Sequence, residues 1–530
     1  MIIMKKLHIL ISAIGLIALV SCTKDLDQYP VIETDASKVY STADNYKLVL
    51  AKIYASYVIA GQEQGGGNGD LTLVNGYDLL RGYFNLQEAG TDEVANTWLA
   101  GDNIGNLTYL TWDANDPWVS DTYYRLYFSI ALCNELLRHC GDDEISKFSQ
   151  AEQDNIRTYR SEARFMRALS YYLVLDLFKK GPFVDENSPS SAYIPEAYTS
   201  TQLFAFIEKE LTELINSNQL NANEYGRAST DAASALLARM YLNAEVYTGK
   251  AYYTECINAC KNIIKSGRYT LEPEYAKLFN ADNDKRTNAN IFPFVVDAVT
   301  TVSWGATTYI ICGECGNSST QDPSKYGLDA GWGMFRVRGE LPAMFGDVAY
   351  TSDKRCMFYT DSQAQWFTGA IDNQAEGYFG EKFSNLRDDG TPASSSQAVG
   401  CSTDWPFFRL AEIYLTAAEA TVRGGSGMSK AEALDLVNKV RERAYGDASG
   451  NIAEADMTLE YFLDERAREF YHEAMRRTDL VRFNCMTSSK YLWQWKGGTL
   501  DGRAVDEKFN YYPIPTTELT ANPNLKNEEY

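Results

Sequence analysis

The chain has 530 residues and a net charge of −22, with 71 acidic side chains against 49 Lys and Arg and no basic block to neutralise a run of phosphates, so nucleic acid is excluded as a partner. His8, His139 and His472 are its only histidines, too few for a His-rich zinc or non-haem iron centre. Aromatic residues make up 13% of the chain, with 36 Tyr and 9 Trp, more amphipathic ring than a core alone needs.

Lys5 and Lys6 precede a mostly apolar run from Leu7 to Val20 that is too short to span a bilayer and has the order of a secretory signal. It ends in Leu19-Val20-Ser21-Cys22, which matches a bacterial lipobox. The expectation is cleavage of residues 1–21 and lipidation of Cys22; the alternative is a plain signal peptide with an incidental cysteine. Removing the segment takes away two lysines and no acid, so the mature chain is more acidic still. Residues 22–530 show no composition boundary and are expected to form a single domain.

Residues 61–121 are rich in Gly, Asn, Asp and Trp, including Gly65-Gly66-Gly67-Asn68-Gly69 and Trp98, Trp112 and Trp118, and are expected to be long loops. From Tyr159 to Phe178, the residues Phe165, Leu169, Leu173 and Leu177 recur every four while Arg160, Arg164 and Arg167 take another face, an amphipathic helix. Asp231 to Tyr247 and Tyr252 to Ile264 read as a helix pair around a Thr-Gly-Lys turn. Asp282, Asp284 and the distant Asp404 are hard oxygen ligands that suit Ca²⁺; the alternative is that the first two are solvated turn residues. Residues 300–405 form a second loop-rich stretch, with Trp304, Trp332, Trp366 and Trp405. A further pair runs from Phe407 to Val422 and, after Gly424-Gly425-Ser426-Gly427, from Lys430 to Arg443. These are the units of a tetratricopeptide-type stack, although the strict repeat signature is absent, and predict a mainly α scaffold. Beyond Cys22 the nine cysteines are an odd number, which excludes a complete disulfide framework. Most read as small buried hydrophobes, and only Cys312 and Cys315 form a pair to test for a bridge.

Six segments, in order, carry a resemblance. They are Ala163-Arg164-Phe165-Met166-Arg167-Ala168 with Tyr172, Gly226-Arg227-Ala228 with Leu237 to Leu242, and Phe408-Arg409-Leu410-Ala411-Glu412 with Ala418-Glu419-Ala420. Asn438 to Ala444, Glu465 to Arg482, and Tyr512-Pro513-Ile514-Pro515 with Asn522 to Leu525 complete the set. Over nearly the whole mature chain these resemble the SusD/RagB family of outer-membrane lipoproteins that bind nutrients for import. Loop segments are similar to its founding starch-binding member: Tyr247-Thr248-Gly249, Trp304 to Ile311, Gly331-Trp332, and Lys490 to Gly498. Arg468, Glu469, Glu473 and Arg477 lie three or four residues apart, which suits ion pairing and helix packing and no ligand.

The resemblance implies a SusD-like scaffold of tetratricopeptide-like helix pairs with long ligand-binding loops and minor β. It implies an aromatic arc that follows an α-glucan, with Trp98, Trp304 (where the relative has tyrosine) and Trp332 as flat surfaces. Arg81 would be the hydroxyl-binding arginine and Asn103 the nearest equivalent of a binding asparagine. Asn96 departs from the pattern, standing where a further tryptophan is expected. No cofactor is required, with a structural calcium at Asp282, Asp284 and Asp404 as the one addition. The partners implied are an oligosaccharide, the outer membrane through lipid on Cys22, and a SusC-like TonB-dependent transporter that the protein covers as a lid, facing the cell exterior. Three functions follow: a non-catalytic starch or α-glucan binder, the same scaffold with a different glycan or peptide cargo, and a glycoside hydrolase. A hydrolase needs two carboxylates flanking the bond, about 5 or 6.5–9.5 Å apart, and no signature ties such a pair to an aromatic cleft.

Overall fold

The computed structural model describes residues 36–530 apart from 64–67, 190–192, 221–223 and 394–399. The expected signal segment and Cys22 therefore lie outside the described residues, and no described helix is long and apolar enough to cross a membrane.

Among the described residues, twelve helices have seven residues or more. They are α1 (Ala43–Val58), α2 (Leu79–Glu88), α3 (Pro117–Arg138), α4 (Gln150–Phe178), α5 (Ser200–Ser217) and α6 (Thr230–Leu242), followed by α7 (Tyr253–Ser266), α8 (Ala306–Glu314), α9 (Leu410–Val422), α10 (Lys430–Tyr445), α11 (Leu459–Phe470) and α12 (Arg476–Arg482). Helix starts follow capping chemistry. Ser149, Thr199 and Ser429 form capping boxes with Glu152, Gln202 and Glu432, satisfying first-turn donors that would otherwise be orphaned. Gly249, Gly267 and Gly446 end their helices in the left-handed conformation.

In α4 the predicted stripe of Phe165, Leu169, Leu173 and Leu177 is fully buried, while Arg164 turns outward to Glu210 (2.8 Å) and Glu213 (2.6 Å). Helices α3, α4, α5, α6, α7, α9 and α10 each pack on the next, so the helix pairs stack as a solenoid whose repeats bury a continuous core. The expectation of a mainly α fold is met. One boundary differs: Phe407 to Arg409 belong to a strand, because Trp405–Arg409 pairs antiparallel with Asn290–Phe294 in a wholly buried ladder of aromatic residues.

Most polar residues of the C-terminal segments are structural, as their spacing predicts. Glu469 takes Arg355 (3.1 Å), Arg409 (2.6 Å) and Arg443 (2.5 Å), and Glu473 takes Arg409 (2.7 Å) and Lys382 (2.6 Å). Against the cost of burial, Arg355, Arg468 and Arg441 hold the Glu465 carboxyl down to about 2. Eight of the nine described cysteines are buried, and Cys312 and Cys315 are separate thiols, not a bridge.

Candidate functional site

The two stretches predicted as loops are tied together by short regular elements that the sequence reading passed over. Leu79–Glu88 is buried along its whole length, although its sequence has a helical period, with Leu79, Leu80, Tyr83 and Phe84 on one face and Arg81, Asn85 and Glu88 on another. It packs on α3, α8 and α12. Val94–Asn96 pairs antiparallel with Phe335–Val337, and Thr97 N–H continues the pairing to Met334 O (2.8 Å). This ladder carries the first loop region across to the second, so that Trp98 and Trp332 leave neighbouring strand ends.

Two buried side chains fix the loop that carries Trp304. Asp78 is the N-cap of α2, accepting from Arg81 N (3.0 Å), and its carboxylate also accepts from Ala306 N (3.2 Å) and from the Ser303 hydroxyl. Arg81, in the first turn of α2, donates to the Trp304 carbonyl (2.9 Å) and pairs with Asp102 (2.6 Å). Its guanidinium lies between the Tyr77 ring (3.5 Å to the centroid) and the Tyr309 ring (4.0 Å). The Tyr309 hydroxyl sits between Asn85 Oδ1 (2.8 Å) and Asp102 Oδ2 (3.1 Å), and burial beside Asp102 pushes its pKa well up. Burial also raises the Asp102 carboxyl, with Arg81 pulling it back down.

Asp102 in turn closes the Trp98 turn. Its N–H donates to Trp98 O (2.9 Å), and its carbonyl accepts from Trp118 Nε1 (2.7 Å). Trp98 N–H donates to Asn96 Oδ1 (2.8 Å), which leaves the indole 44% exposed. Trp304 and Trp332 are half-buried with ring centroids 6.1 Å apart at 38°, and Trp332 is anchored through its N–H to Cys312 O (2.7 Å).

Four of the five predicted residues are thus linked through one network: Arg81 and Trp304 directly, Trp98 through Asp102, and Trp332 through its contact with Trp304. Asn103 follows in the Trp98 turn, exposed, with its amide donating to Asn75 Oδ1 (3.0 Å). Arg81 is 4% exposed; its terminal nitrogens hold Trp304 O and Asp102, while its buried Nε is without a hydrogen-bond partner, a placement that braces the Trp304 loop. Asn96 is fully buried as the support of Trp98, so the departure from the expected tryptophan removes a ring from the arc and adds a brace. Tyr77, Asp78, Asp102 and Tyr309 were missed. Tyr309 lies inside a stretch already quoted for its similarity; of the others, Asp78, a helix cap, and Asp102, in a turn, each have a partner more than 200 residues away.

An apolar groove of about 400 Å³ lies apart, lined by Leu50, Tyr54, Val58, Tyr225, Phe294 and Val295 among others, and by none of the five residues. Trp112 and Trp118 are buried, the latter in the first turn of α3.

The aspartates proposed for calcium are not assembled. Asp282 pairs with Lys285 (2.8 Å) and accepts from Asp388 N (3.0 Å), Asp284 is exposed, and Asp404 is buried and accepts from Val296 N (2.8 Å). Among the described residues no group of three such side chains could hold a metal ion. Asp282 ties its turn to Asp388 and Asp404 is tied to Val296, while Asp284 is an exposed residue of the same turn as Asp282.

The SusD family model matches residues 235–530. The chain is 32% identical to the starch-binding protein SusD of Bacteroides thetaiotaomicron, covering 96% of this chain and 95% of that one. It is 26% identical to the SusD-like protein P2 of Formosa agariphila, covering 96% of each. Among solved structures it is similar to surface glycan-binding protein A from Bacteroides thetaiotaomicron in complex with laminarihexaose, at 19% identity and a TM-score of 0.69 over 92% of this chain and 99% of that one. The same protein from Bacteroides fluxus gives 20% identity and a TM-score of 0.69 over 92% and 100%.

Proposed function

Given that this chain belongs to the SusD family, we propose that it is a non-catalytic glycan-binding lipoprotein of the cell surface. In this reading it captures starch-type α-glucan oligosaccharides and passes them to a SusC-like TonB-dependent transporter in the outer membrane, to which lipid on Cys22 tethers it. The observation that carries the reading is the pairing of the half-buried indoles Trp304 and Trp332, braced through Arg81 and Asp102 to the turn that holds the exposed Trp98. A sugar ring offers an apolar C–H face and a rim of hydroxyls; flat indoles take the face, and the exposed amide of Asn103 suits the rim. The 32% identity to a protein named for starch binding supports an α-glucan over other cargo.

Binding without cleavage is supported by the use of the nearby acids. Asp78 is consumed as a cap and Asp102 as the partner of Arg81 and Tyr309, so neither is placed as an acid or nucleophile beside the rings. The test is affinity electrophoresis of pure protein in amylose, laminarin and mannan gels, with an assay for reducing ends. Retention by amylose without new reducing ends is expected; release of reducing sugar refutes the non-catalytic reading. The combined change Trp98→Ala, Trp304→Ala and Trp332→Ala should weaken retention on the order of a hundredfold, at about 1 kcal/mol per ring. Retention that survives all three changes rules out this platform.

A further inference from the structure

We infer that Trp366 is a second sugar-stacking surface, which engages the same glycan chain beyond the Trp98, Trp304 and Trp332 platform; this rests on the glycan-binding reading above. Trp366 is 43% exposed, nearly as open as Trp98. Its other side is closed in an unusual way. A Cβ built on Gly339 would overlap the six-membered ring of the indole at Cε3, Cδ2 and Cζ3, so the ring lies against bare backbone. Glycine there lets one ring face seat on a peptide while the opposite face looks to solvent.

The residues on both sides are pinned. Gln365 Nε2 donates to Gly339 O (2.8 Å). Phe367 N–H donates to Gln494 Oε1 (3.0 Å) and Phe367 O accepts from Gln494 Nε2 (2.7 Å). Thr368 N–H then donates to Glu376 Oε2 (2.9 Å). Four hydrogen bonds hold the neighbours of Trp366, and the Gly339 backbone backs the ring, so the exposed indole is preorganised and little freedom remains to be lost when a ligand arrives. Burial does not account for the arrangement, because the open face is the one left over.

Its placement relates it to the first platform. Phe367, the next residue, packs with Ala95 and Ile371 in a small apolar cluster against which Leu99 also packs, and Leu99 is the next residue after Trp98. The two exposed indoles therefore flank one cluster. Gly339 lies two residues beyond Val337, which pairs with Val94, and Trp98 lies two beyond Asn96, which pairs with Phe335. The offset along the ladder is six residues, roughly 20 Å at about 3.3 Å per residue. A glycan that engages both surfaces is therefore expected to be longer than a trisaccharide.

Chain-length dependence tests this. Wild type, Trp366→Ala and Trp366→Phe are titrated with maltotriose and laminaritriose and run in amylose and laminarin gels, with thermal melting as a check on folding. The expected result is an affinity about tenfold lower for the retained polymer in Trp366→Ala, unchanged trisaccharide binding, and substantial recovery in Trp366→Phe. Unchanged polymer binding in Trp366→Ala overturns the inference and leaves the first platform standing. An equal loss for trisaccharide and polymer also overturns it, since Trp366 would then act by supporting that platform. Wild type that binds none of the four probes overturns the glycan-binding reading and this inference with it.

Discussion

Arg81→Met separates a positioning arginine from a sugar-binding one. Methionine keeps much of the stem volume but removes the ion pair with Asp102 (2.6 Å), the hydrogen bond to Trp304 O (2.9 Å) and the packing between Tyr77 and Tyr309. The dominant loss is the buried charge left behind: the Asp102 side chain is 7% exposed, and removing one partner of a buried pair costs about 3–5 kcal/mol. At about 2.1 cal/mol/K per residue over roughly 500 residues, unfolding entropy is near 1 kcal/mol/K, so the melting temperature should fall by about 3–5 °C. Asp102→Asn in the same background removes the stranded charge, so Arg81→Met with Asp102→Asn should melt above Arg81→Met alone, with a coupling of at least ~2 kcal/mol. The pH dependence has a definite sign. The folded Asp102 carboxyl is already raised by burial, and without Arg81 it rises further, so the deficit grows as pH climbs above the ordinary carboxylate range and shrinks below it. Differential scanning calorimetry at acid and neutral pH measures both effects. A melting point within about 1 °C of wild type, or strict additivity of the two changes, would refute the positioning role.

Gly305→Ala places a Cβ inside the Asp78 carboxylate, breaking its links to Ser303 and Ala306 and displacing Trp304. Amylose retention should be lost alongside a stability cost of about 1–3 kcal/mol, checked by melting and gel retention together. Burial lifts Asp404 to about 7, so the folded chain holds that proton more tightly than the unfolded one and stability declines between about pH 4 and 7. Asp404→Asn should flatten that part of the pH–stability curve, by on the order of 2–4 kcal/mol, whereas chelator or added calcium should leave the wild-type melting point unchanged; a calcium-induced rise would restore the metal site. Glu465 has the opposite sign: held down to about 2 by Arg355, Arg468 and Arg441 against burial, it stabilises fully above about pH 4.5 and loses that contribution towards pH 2. Glu465→Gln should cost about 3–5 kcal/mol at neutral pH by denaturant titration and less in acid.

The helical scaffold was legible because its signal is local. Phe165, Leu169, Leu173 and Leu177 repeat at the helical period, and the glycines at 249 and 446 and the serines at 149 and 429 mark helix ends within a few residues of the helices they terminate. In α2 the period is present but spans only ten residues inside a Gly- and Asn-rich stretch whose composition suggests a loop. Phe407 to Arg409 read as the start of the following helix because their strand partner lies more than 100 residues upstream.

The site divides along the same line. Sequence by itself determined which residue types are present: indoles in Gly- and Asn-rich stretches, an arginine at 81, and an acidic chain without a basic face. Tertiary structure decided what they do. Only the tertiary contacts turn Arg81 inward to Asp102 and the Trp304 carbonyl, tie Asp282 to Asp388 and Asp404 to Val296, and seat Trp366 on Gly339. Chain pattern records periodicity and caps, whose partners lie within one helical turn; pairings across 200 residues depend on where the solenoid brings the loops together.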